Sequence, residues 1–219
     1  VLIGILRERI DDERFLRLIR KFLNAGYIEN WKYNNTYSGT PQGGVISPIL
    51  ANIYLDKFDK YIEKYIQTFD KGEGRQLNKE YRLIKDRKRR LVQKLKTETD
   101  ANVRKDLIHK IKAHSEQMLS MPSSVEMDEG YRRFKYVRYA DDFLIGIVGT
   151  KAECEVIKEN ITQFMSEKLK LELSAEKTLI THAQEAARFL GYEITIRNSN
   201  ATKRDKNGNL KRMFNQKVV

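Results

Sequence analysis

The sequence contains few cysteines and histidines and no long apolar run, and each shortage excludes a class of protein. Cys154 is the single cysteine, so the chain forms no internal disulfide and no cysteine-rich zinc site. His109, His114 and His182 have no cysteine partners at the spacing of metal ligands. No apolar run approaches the roughly 18 residues that a membrane span requires. Because charge interrupts residues 1–10, no signal peptide is predicted either, and we expect a soluble, intracellular protein without a membrane partner.

Positive charge is what the sequence has in excess. Its 219 residues include 42 lysines and arginines against 30 acidic residues, which gives a net charge of +12. This balance favours a polyanionic partner, with nucleic acid as the first candidate and an anionic membrane surface as the alternative on charge alone. Hydrophobic residues make up 40% of the chain, which is enough for one sizeable core.

The stretch YVRYADDFLIGIV, residues 136–148, organises the rest of the chain. Two apolar half-strands, Tyr136–Ala140 and Phe143–Val148, flank the adjacent pair Asp141 and Asp142. The β-branched and aromatic flanks predict a hairpin with two carboxylates at its tip. Asp-Asp is not a pair that tight hairpin turns prefer. Two adjacent anions need a compensating cation, and oxygen ligands of this kind suit Mg2+; solvated turn residues are the alternative.

Helical periodicity appears on both sides of this stretch. Asp11 is predicted to cap a helix that ends near Gly26. Ser47 is predicted to cap a second helix that runs from about Pro48 to Ile66. Lys151–Leu169 is predicted as a third. The predicted stripe of the first helix is Phe15, Leu18, Ile19, Phe22 and Leu23.

Several further segments are predicted to be extended. Tyr27–Tyr37 is expected to place Trp31 and Tyr33 on a sheet. Short strands are predicted at 171–173 and 178–181, which would form a β-α-β unit with the hairpin and the third helix, and another strand at 189–196. Asn207-Gly208 predicts a terminal hairpin between residues 202–206 and 209–214.

Residues 71–112 differ from the rest of the chain in their high density of positive charge. Arg87, Lys88, Arg89 and Arg90 form a run of four cations beside a thin apolar stripe. The pattern predicts two charged helices that break near Thr99–Ala101 and form an antiparallel hairpin. The run is either a solvated face or a surface that follows RNA phosphates, and the sequence leaves both open. Residues 115–130 are expected to form a flexible connection.

Four motifs carry a resemblance to a known family. YADD at Tyr139–Asp142 resembles the metal-binding signature of reverse transcriptases. GTPQGGVISPILANIYLDKFD at Gly39–Asp59 resembles the segment of that family that contacts template and nucleotide. LKLELSAEKTLIT at Leu169–Thr181 and FLGY at Phe189–Tyr192 follow in the order of the family. Together they most resemble the reverse transcriptases of bacterial group II introns, which also act as maturases.

This resemblance implies an α+β fold, in which helices back a polymerase palm-type antiparallel sheet and a charged helical hairpin is inserted. Residues 1–70 and 131–196 would be the two parts of the palm, with the loop-helix motif in the first and the YADD hairpin in the second. Residues 71–130 would be the basic insertion. Residues 197–219 would form a terminal hairpin that leads toward a thumb domain.

The resemblance also implies RNA-directed DNA synthesis, with a role in intron splicing and retrohoming. Asp141 would be the main ligand of two Mg2+ ions, with Mn2+ as the alternative, and Asp142 would support it. Lys177 would meet the leaving pyrophosphate or would be a surface lysine. The other implied contacts are template and nucleotide at Gln42, Gly43, Gly44, Tyr139 and Ala140, and the primer at Phe189, Leu190, Gly191 and Tyr192, where a core-strand role fits Phe189 and Leu190 equally well.

The implied partners are an RNA template, intron RNA, a DNA primer and deoxynucleoside triphosphates in a bacterial cytoplasm, with a homodimer left open. One departure from the family concerns its third catalytic aspartate, because nothing upstream of Gly39 resembles the strand that carries it. Asp11 and Asp12 begin a helix and are not assigned that role. The chain is therefore interpreted as a palm-centred piece of a larger enzyme that polymerises poorly alone.

Two alternatives stay open at this point. The first is an RNA-binding maturase without polymerase activity, in which the basic insertion binds intron RNA. The second is another palm enzyme, such as an RNA-dependent RNA polymerase or a retron-type enzyme. A preference for deoxynucleotides would separate the second alternative from a reverse transcriptase.

Overall fold

The computed structural model describes residues 1–35, 44–204, 206, 208 and 210–218, and the chain divides into two compact units. The first unit comprises residues 1–69 and 134–180, and the second comprises residues 70–133 and 181–219. The helices are α1 (Leu2–Arg7), α2 (Glu13–Leu23), α3 (Ser47–Phe69), α4 (Lys79–Thr97), α5 (Ala101–Ser120) and α6 (Lys151–Phe164), which continues into a π-helical turn (Met165–Leu169). The strands are β1 (Tyr27–Glu29), β2 (Lys32–Asn34), β3 (Arg133–Tyr139), β4 (Asp142–Val148), β5 (Ala187–Phe189), β6 (Tyr192–Arg204) and β7 (Leu210–Val218).

The N-terminus of α2 differs by one residue from the prediction. Asp12, not Asp11, is the cap, and its Oδ1 accepts hydrogen bonds from the backbone N–H groups of Arg14 at 2.8 Å and Phe15 at 3.2 Å. Its extended backbone turns the side chain back onto these two free donors. Ser47 likewise is the first residue of α3 rather than the residue before it.

The buried face of α2 is narrower than the predicted stripe. Leu16 and Ile19 are buried with Leu6 of α1 and Leu50 of α3. The predicted stripe members Phe15, Leu18 and Phe22 are 40%, 49% and 47% exposed.

Strands β1 and β2 form a small antiparallel hairpin. Its turn residues Asn30 and Trp31 both have positive φ angles, 51° and 60°, as the tightest hairpin turns require. Trp31 therefore lies at the tip and is 99% exposed, and Tyr33 is 60% exposed. The prediction that both pack on a sheet is wrong. Gly26 lies at the base of this hairpin. It passes so close to Asn34 that a Cβ on residue 26 would lie 2.3 Å from the Asn34 carbonyl oxygen.

The main core of the first unit lies between α3, α6 and the hairpin of β3 and β4. Phe58 and Ile62 of α3 are fully buried, as is Phe134 of β3. Helix α6 begins at a capping box in which Thr150 and Glu153 exchange hydrogen bonds. The same cluster also contains Leu55, Ile157, Ile161, Met165 and Leu169.

The return strand expected after α6 does not form. Residues 170–186 are described throughout and contain no strand, so the predictions of strands at 171–173 and 178–181, and of a β-α-β unit, are wrong. Leu171 and Leu173 pack against the core cluster instead of alternating across a sheet. The Thr178 carbonyl accepts a hydrogen bond from Lys158 Nζ at 2.5 Å, where a strand would use it for pairing.

In the second unit, strands β5, β6 and β7 form one antiparallel sheet. The predicted single strand 189–196 is interrupted, because Leu190 and Gly191 form a turn with φ angles of 51° and 80°. The terminal hairpin is confirmed, with Arg204 paired to Leu210; Asn207 lies outside the described residues.

Helices α4 and α5 pack on each other, with a break at residues 98–100 close to the predicted position. Asp100 caps α5 through the N–H groups of Asn102 and Val103. Helix α5 continues to Ser120, so the prediction of a flexible connection is wrong for residues 115–120. Beyond it, Asp128 is buried and accepts hydrogen bonds from the N–H groups of Gln76 and Gly130, which lower its pKa.

Candidate active site

The acidic pair lies at the turn of the β3–β4 hairpin, with a register that differs from the prediction by one residue. Strand β3 continues to Tyr139, the turn residues are Ala140 and Asp141, and Asp142 is already the first residue of β4. Ala140 has a φ of 53°, in the left-handed region that residues with a Cβ rarely adopt. Asp141 and Asp142 are both exposed, so the hairpin presents two adjacent carboxylates to solvent.

Aromatic rings support the hairpin from below. Phe58 of α3 contacts Tyr136 of β3 and Phe143 of β4, with ring centroids 5.7 and 5.2 Å apart. Phe143 directly follows Asp142, so the partly buried ring adjoins the exposed carboxylate. Packed aromatic contacts of this kind restrict both strands. The acidic turn therefore stands on a rigid base.

A charged network connects α3 to the end of β3. Arg138 Nη2 and Nε donate to the two carboxylate oxygens of Asp59 at 2.6 and 2.9 Å, which makes a bidentate pair. The Tyr136 hydroxyl donates to Asp59 Oδ1 at 2.7 Å. The Arg138 side chain is 12% exposed and that of Asp59 is 29% exposed, so water screens this pair less than a surface pair.

The third nitrogen of Arg138 contacts the turn itself. Nη1 donates to the Ala140 carbonyl at 2.6 Å and to Asn52 Oδ1 at 3.1 Å. The guanidinium thus bridges α3 and the residue that precedes the two aspartates.

The network changes the ionisation of its members. Hydrogen bonding from Arg138 lowers the pKa of Asp59 below its ordinary value, so this carboxylate stays charged. The same contact raises the pKa of Arg138. Burial, with the hydrogen bond to Asp59, raises the pKa of Tyr136, so its hydroxyl stays protonated as a donor. Asp59 is therefore committed to Arg138 and is not a free third carboxylate for the site.

The donor set of the turn fits a divalent cation that keeps part of its water shell. Within the described residues, no ion pair or hydrogen bond occupies the carboxylate groups of Asp141 and Asp142. The same residues contain no cluster of three His, Cys, Asp or Glu side chains placed to hold a metal. Mg2+ commonly binds proteins through one or two carboxylates, with waters and substrate phosphates as its other ligands.

The structure brings together only some of the residues predicted for the site. Tyr139, Ala140, Asp141 and Asp142 share the hairpin turn, and Tyr139 is 67% exposed. Lys177 lies in a separate turn of the same unit and is exposed. The FLGY residues belong to the second unit, where Leu190 and Gly191 form the β5–β6 turn and Phe189 and Tyr192 are the paired strand residues beside it.

The predicted template and nucleotide loop is described only at its end. Gln42 and Gly43 lie outside the described residues. Gly44 is half-buried, and its carbonyl accepts a hydrogen bond from the Ser47 N–H at 3.0 Å, which leads the chain into α3.

The run Arg87–Arg90 is spread around α4 rather than concentrated on one face. Lys88 is half-buried, while Arg87, Arg89 and Arg90 are exposed. Exposed cations three, four and seven residues apart do share a face. They form a stripe, called here the α4 stripe, which consists of Arg82, Lys85, Arg89 and Lys96.

Comparison with known proteins shows which sequences this chain resembles. Residues 90–194 match the family described as reverse transcriptase (RNA-dependent DNA polymerase). The chain is 44% identical over 203 residues to the group II intron-encoded protein LtrA of Lactococcus lactis subsp. cremoris, and the match covers 93% of this chain and 33% of LtrA. It is 38% identical over 198 residues to the putative COX1/OXI3 intron 1 protein of Saccharomyces cerevisiae, with 90% of this chain and 22% of that protein covered.

These matches identify the class: the chain belongs to the reverse transcriptase family. Within that family it belongs with the group II intron reverse transcriptase/maturases. A more distant relative, the nuclear intron maturase 2, mitochondrial, of Arabidopsis thaliana, is 25% identical over 158 residues, with 70% of this chain and 17% of that protein covered. The chain spans about a third of the length of LtrA. None of the described helices is long and apolar enough to cross a membrane.

Sequence reasoning missed the Arg138 network, although the sequence contains a signal for it. In β3 every second residue is less exposed than its neighbours, and these residues are Phe134, Tyr136 and Arg138. An arginine in that series needs a buried acceptor, and Asp59 follows the core residue Phe58 on α3. What the sequence does not show is that α3 lies against this end of β3.

Proposed function

We propose that this chain carries part of the polymerase site of an RNA-directed DNA polymerase encoded by a group II intron, and that its first unit is of the polymerase palm type. The observation that supports this most strongly is the pair of exposed carboxylates of Asp141 and Asp142, which form no ion pair with any described residue, on a turn packed against a buried core. The relatives named as intron-encoded proteins and maturases support the same assignment.

In this proposal the hairpin positions the reacting groups. Asp141 and Asp142 would hold Mg2+, and the ion would supply a lower pKa for a primer 3′-hydroxyl and compensation of charge at the α-phosphate of a deoxynucleotide. The exposed ring of Tyr139 offers a stacking surface for a nucleotide at the primer terminus. Lys177 is proposed to approach the pyrophosphate, and Phe189–Tyr192 to contact the primer strand.

Primer extension on an RNA template tests the proposal. The reactions would use this chain and a chimera in which it replaces the 203 matched residues of LtrA. We expect weak or no extension by the chain alone and robust extension by the chimera. Asp141→Ala should reduce the activity of the chimera at least about 100-fold, since loss of a metal-site carboxylate costs this much or more.

Asp11→Ala is the matched control, because Asp11 is an exposed aspartate of the same unit outside the hairpin. It should leave extension unchanged. Equal extension by Asp141→Ala and by the control would contradict the proposal. Incorporation of ribonucleotides in preference to deoxynucleotides would instead indicate an RNA polymerase.

A second function, binding of intron RNA, is favoured by a separate observation. Helix α4 carries nine lysines and arginines against two acidic residues, and the α4 stripe is exposed along one face. One weak pair, Arg89 with Asp86 at 3.7 Å, involves a stripe residue. A row of cations on a helix can follow a phosphate backbone, and each neutralised phosphate steepens the dependence of affinity on salt.

The stripe can be tested against another face of the same helix. The double variant Arg82→Gln/Arg89→Gln removes two stripe cations, and Arg87→Gln/Lys94→Gln removes two exposed cations at the same spacing elsewhere on α4. The first should reduce the slope of log affinity against log salt by roughly 1.4 to 1.8 on group II intron RNA. Equal losses from both variants would indicate diffuse electrostatic attraction, and no loss from either would indicate a solvated helix.

A further inference from the structure

We propose that Arg138, held by Asp59, is a positioning residue that fixes the turn at Ala140 so that Asp141 and Asp142 face one divalent cation together. The inference rests on the proposed metal-binding role of the two aspartates. It assigns a function to residues that the family motif YADD does not include.

The guanidinium of Arg138 connects α3 to the turn at Ala140. The pair of Arg138 and Asp59 is called here the clamp. Two nitrogens are engaged by Asp59 of α3, and the third donates to the carbonyl of Ala140 and to Asn52. Because the guanidinium is planar and its donors are fixed in one plane, anchoring one edge on Asp59 fixes where the other edge points. The direction of the Ala140 carbonyl is therefore set from α3.

That carbonyl belongs to the peptide group that leads into Asp141. Ala140 has a φ of 53°, which disfavours a residue with a Cβ and persists only where the surroundings enforce it. The hydrogen bond from Arg138 is the contact that holds this conformation in place. If this hydrogen bond is lost, we expect Ala140 to leave the left-handed conformation and the carboxylates of Asp141 and Asp142 to separate.

The charge balance of the clamp also suits a cation site. An unpaired arginine three residues before Asp141 would repel a metal ion and compete for the aspartates. Asp59 neutralises Arg138 through two hydrogen bonds, so the clamp adds little net charge beside the site. Surrounding groups that orient metal ligands without touching the metal commonly change its affinity about 10- to 100-fold.

Mn2+ binding by this chain, measured from the loss of the free-ion electron paramagnetic resonance signal, tests the inference without any polymerase activity. Arg138→Lys keeps the charge but removes the fork, and Asp59→Asn removes its anchor. Each should raise the Mn2+ dissociation constant about tenfold. Arg7→Gln breaks the exposed pair with Glu13 in the same unit and should leave binding unchanged.

Hydrogen exchange read by mass spectrometry separates a positioning role from general destabilisation. In Arg138→Lys and Asp59→Asn we expect faster exchange in a peptide covering residues 139–143, with protection of α6 retained. Asn52→Ala removes one acceptor and leaves the ion pair intact, so it serves as the milder variant if either of the others fails to fold. It should raise the dissociation constant roughly two- to fivefold.

The failure of this inference can be told apart from failure of the proposed function. If Asp141→Ala abolishes Mn2+ binding while the folded Arg138, Asp59 and Asn52 variants bind normally, the positioning role is overturned and the metal site stands. If Asp141→Ala binds Mn2+ as the unaltered chain does, the metal site itself is wrong. Faster exchange throughout the unit in all three variants would show a purely structural role.

Discussion

The β3–β4 hairpin and the α4–α5 hairpin differ most in the number of buried residues against which each one packs. Under the first, a cluster of eight buried residues joins two helices to both strands, and Phe58 is in contact with each strand. Under the second, Ile84 and Leu107 are the only buried residues of the two described helices. The first hairpin carries two acidic residues at its tip, and the second carries an excess of cations along α4.

The contrast is consistent with the two different tasks proposed for the hairpins. Metal-ion chemistry needs carboxylates held within a fraction of an ångström, which requires a packed base and a fixed turn. Attraction of a phosphate backbone needs only charge on an exposed surface and tolerates a mobile support. The following predictions test this comparison in order of expected effect.

The largest effect on stability is expected from the core beneath the acidic turn. Phe58→Ala should lower the free energy of unfolding by about 4 kcal/mol, because it removes a fully buried ring and leaves a cavity. Leu107→Ala in α5 should cost about 2 kcal/mol, since its surroundings are thinner and can close in more easily. Urea unfolding followed by circular dichroism at 222 nm would measure both. A larger loss from Leu107→Ala would contradict the comparison.

A smaller effect, dependent on pH, is expected from Asp59. Its pKa is lowered in the folded chain by Arg138, so the unfolded chain takes up the proton first as the pH falls. The stabilisation is therefore present above the ordinary value of 3.8 and is lost as the pH falls through the folded pKa. Asp59→Asn should cost about 2 kcal/mol at pH 6.

Urea unfolding of both proteins between pH 6 and pH 3 would check this prediction. The difference between the unaltered chain and Asp59→Asn should shrink steadily on acidification, because the remaining carboxyl groups are common to both. A difference that stays constant over this range would show that the charge of Asp59 does not stabilise the fold.

The smallest effect is expected from the charges of α4. Arg82→Gln/Arg89→Gln should change the free energy of unfolding by no more than about 0.5 kcal/mol, since both side chains are exposed. The same urea experiment would measure it. A loss above 1 kcal/mol, the size of a lost helix cap, would show that the α4 stripe is part of the structure rather than a charged surface.

The sequence predicts elements whose pattern is local. The periodicity of α3 and α6, the two helices of 71–120 and the acidic hairpin all follow from spacing and turn residues. One error is local: Trp31 lies at a turn tip because Asn30 and Trp31 adopt left-handed conformations. Another arises where a distant contact decides the conformation. Residues 171–173 pack on the core cluster rather than pairing as a strand.

The candidate site also has one part that the sequence predicts and another that it does not. Asp141 and Asp142 are visible in the sequence because two unpaired anions between apolar strands demand an explanation. The turn that carries them differs by one residue from the prediction; in it Ala140 has a left-handed conformation and its carbonyl accepts a hydrogen bond from Arg138. The partner that anchors Arg138 lies 79 residues earlier on α3, and no local pattern connects the two positions.

The most direct test of the account is RNA-templated primer extension by the LtrA chimera that contains this chain, with Asp141→Ala compared with Asp11→Ala. The account predicts DNA synthesis by the unaltered chimera and by the Asp11 variant, and a loss of at least about 100-fold in the Asp141 variant. Extension at the same rate by both variants would contradict the claim that the β3–β4 hairpin is a polymerase metal site.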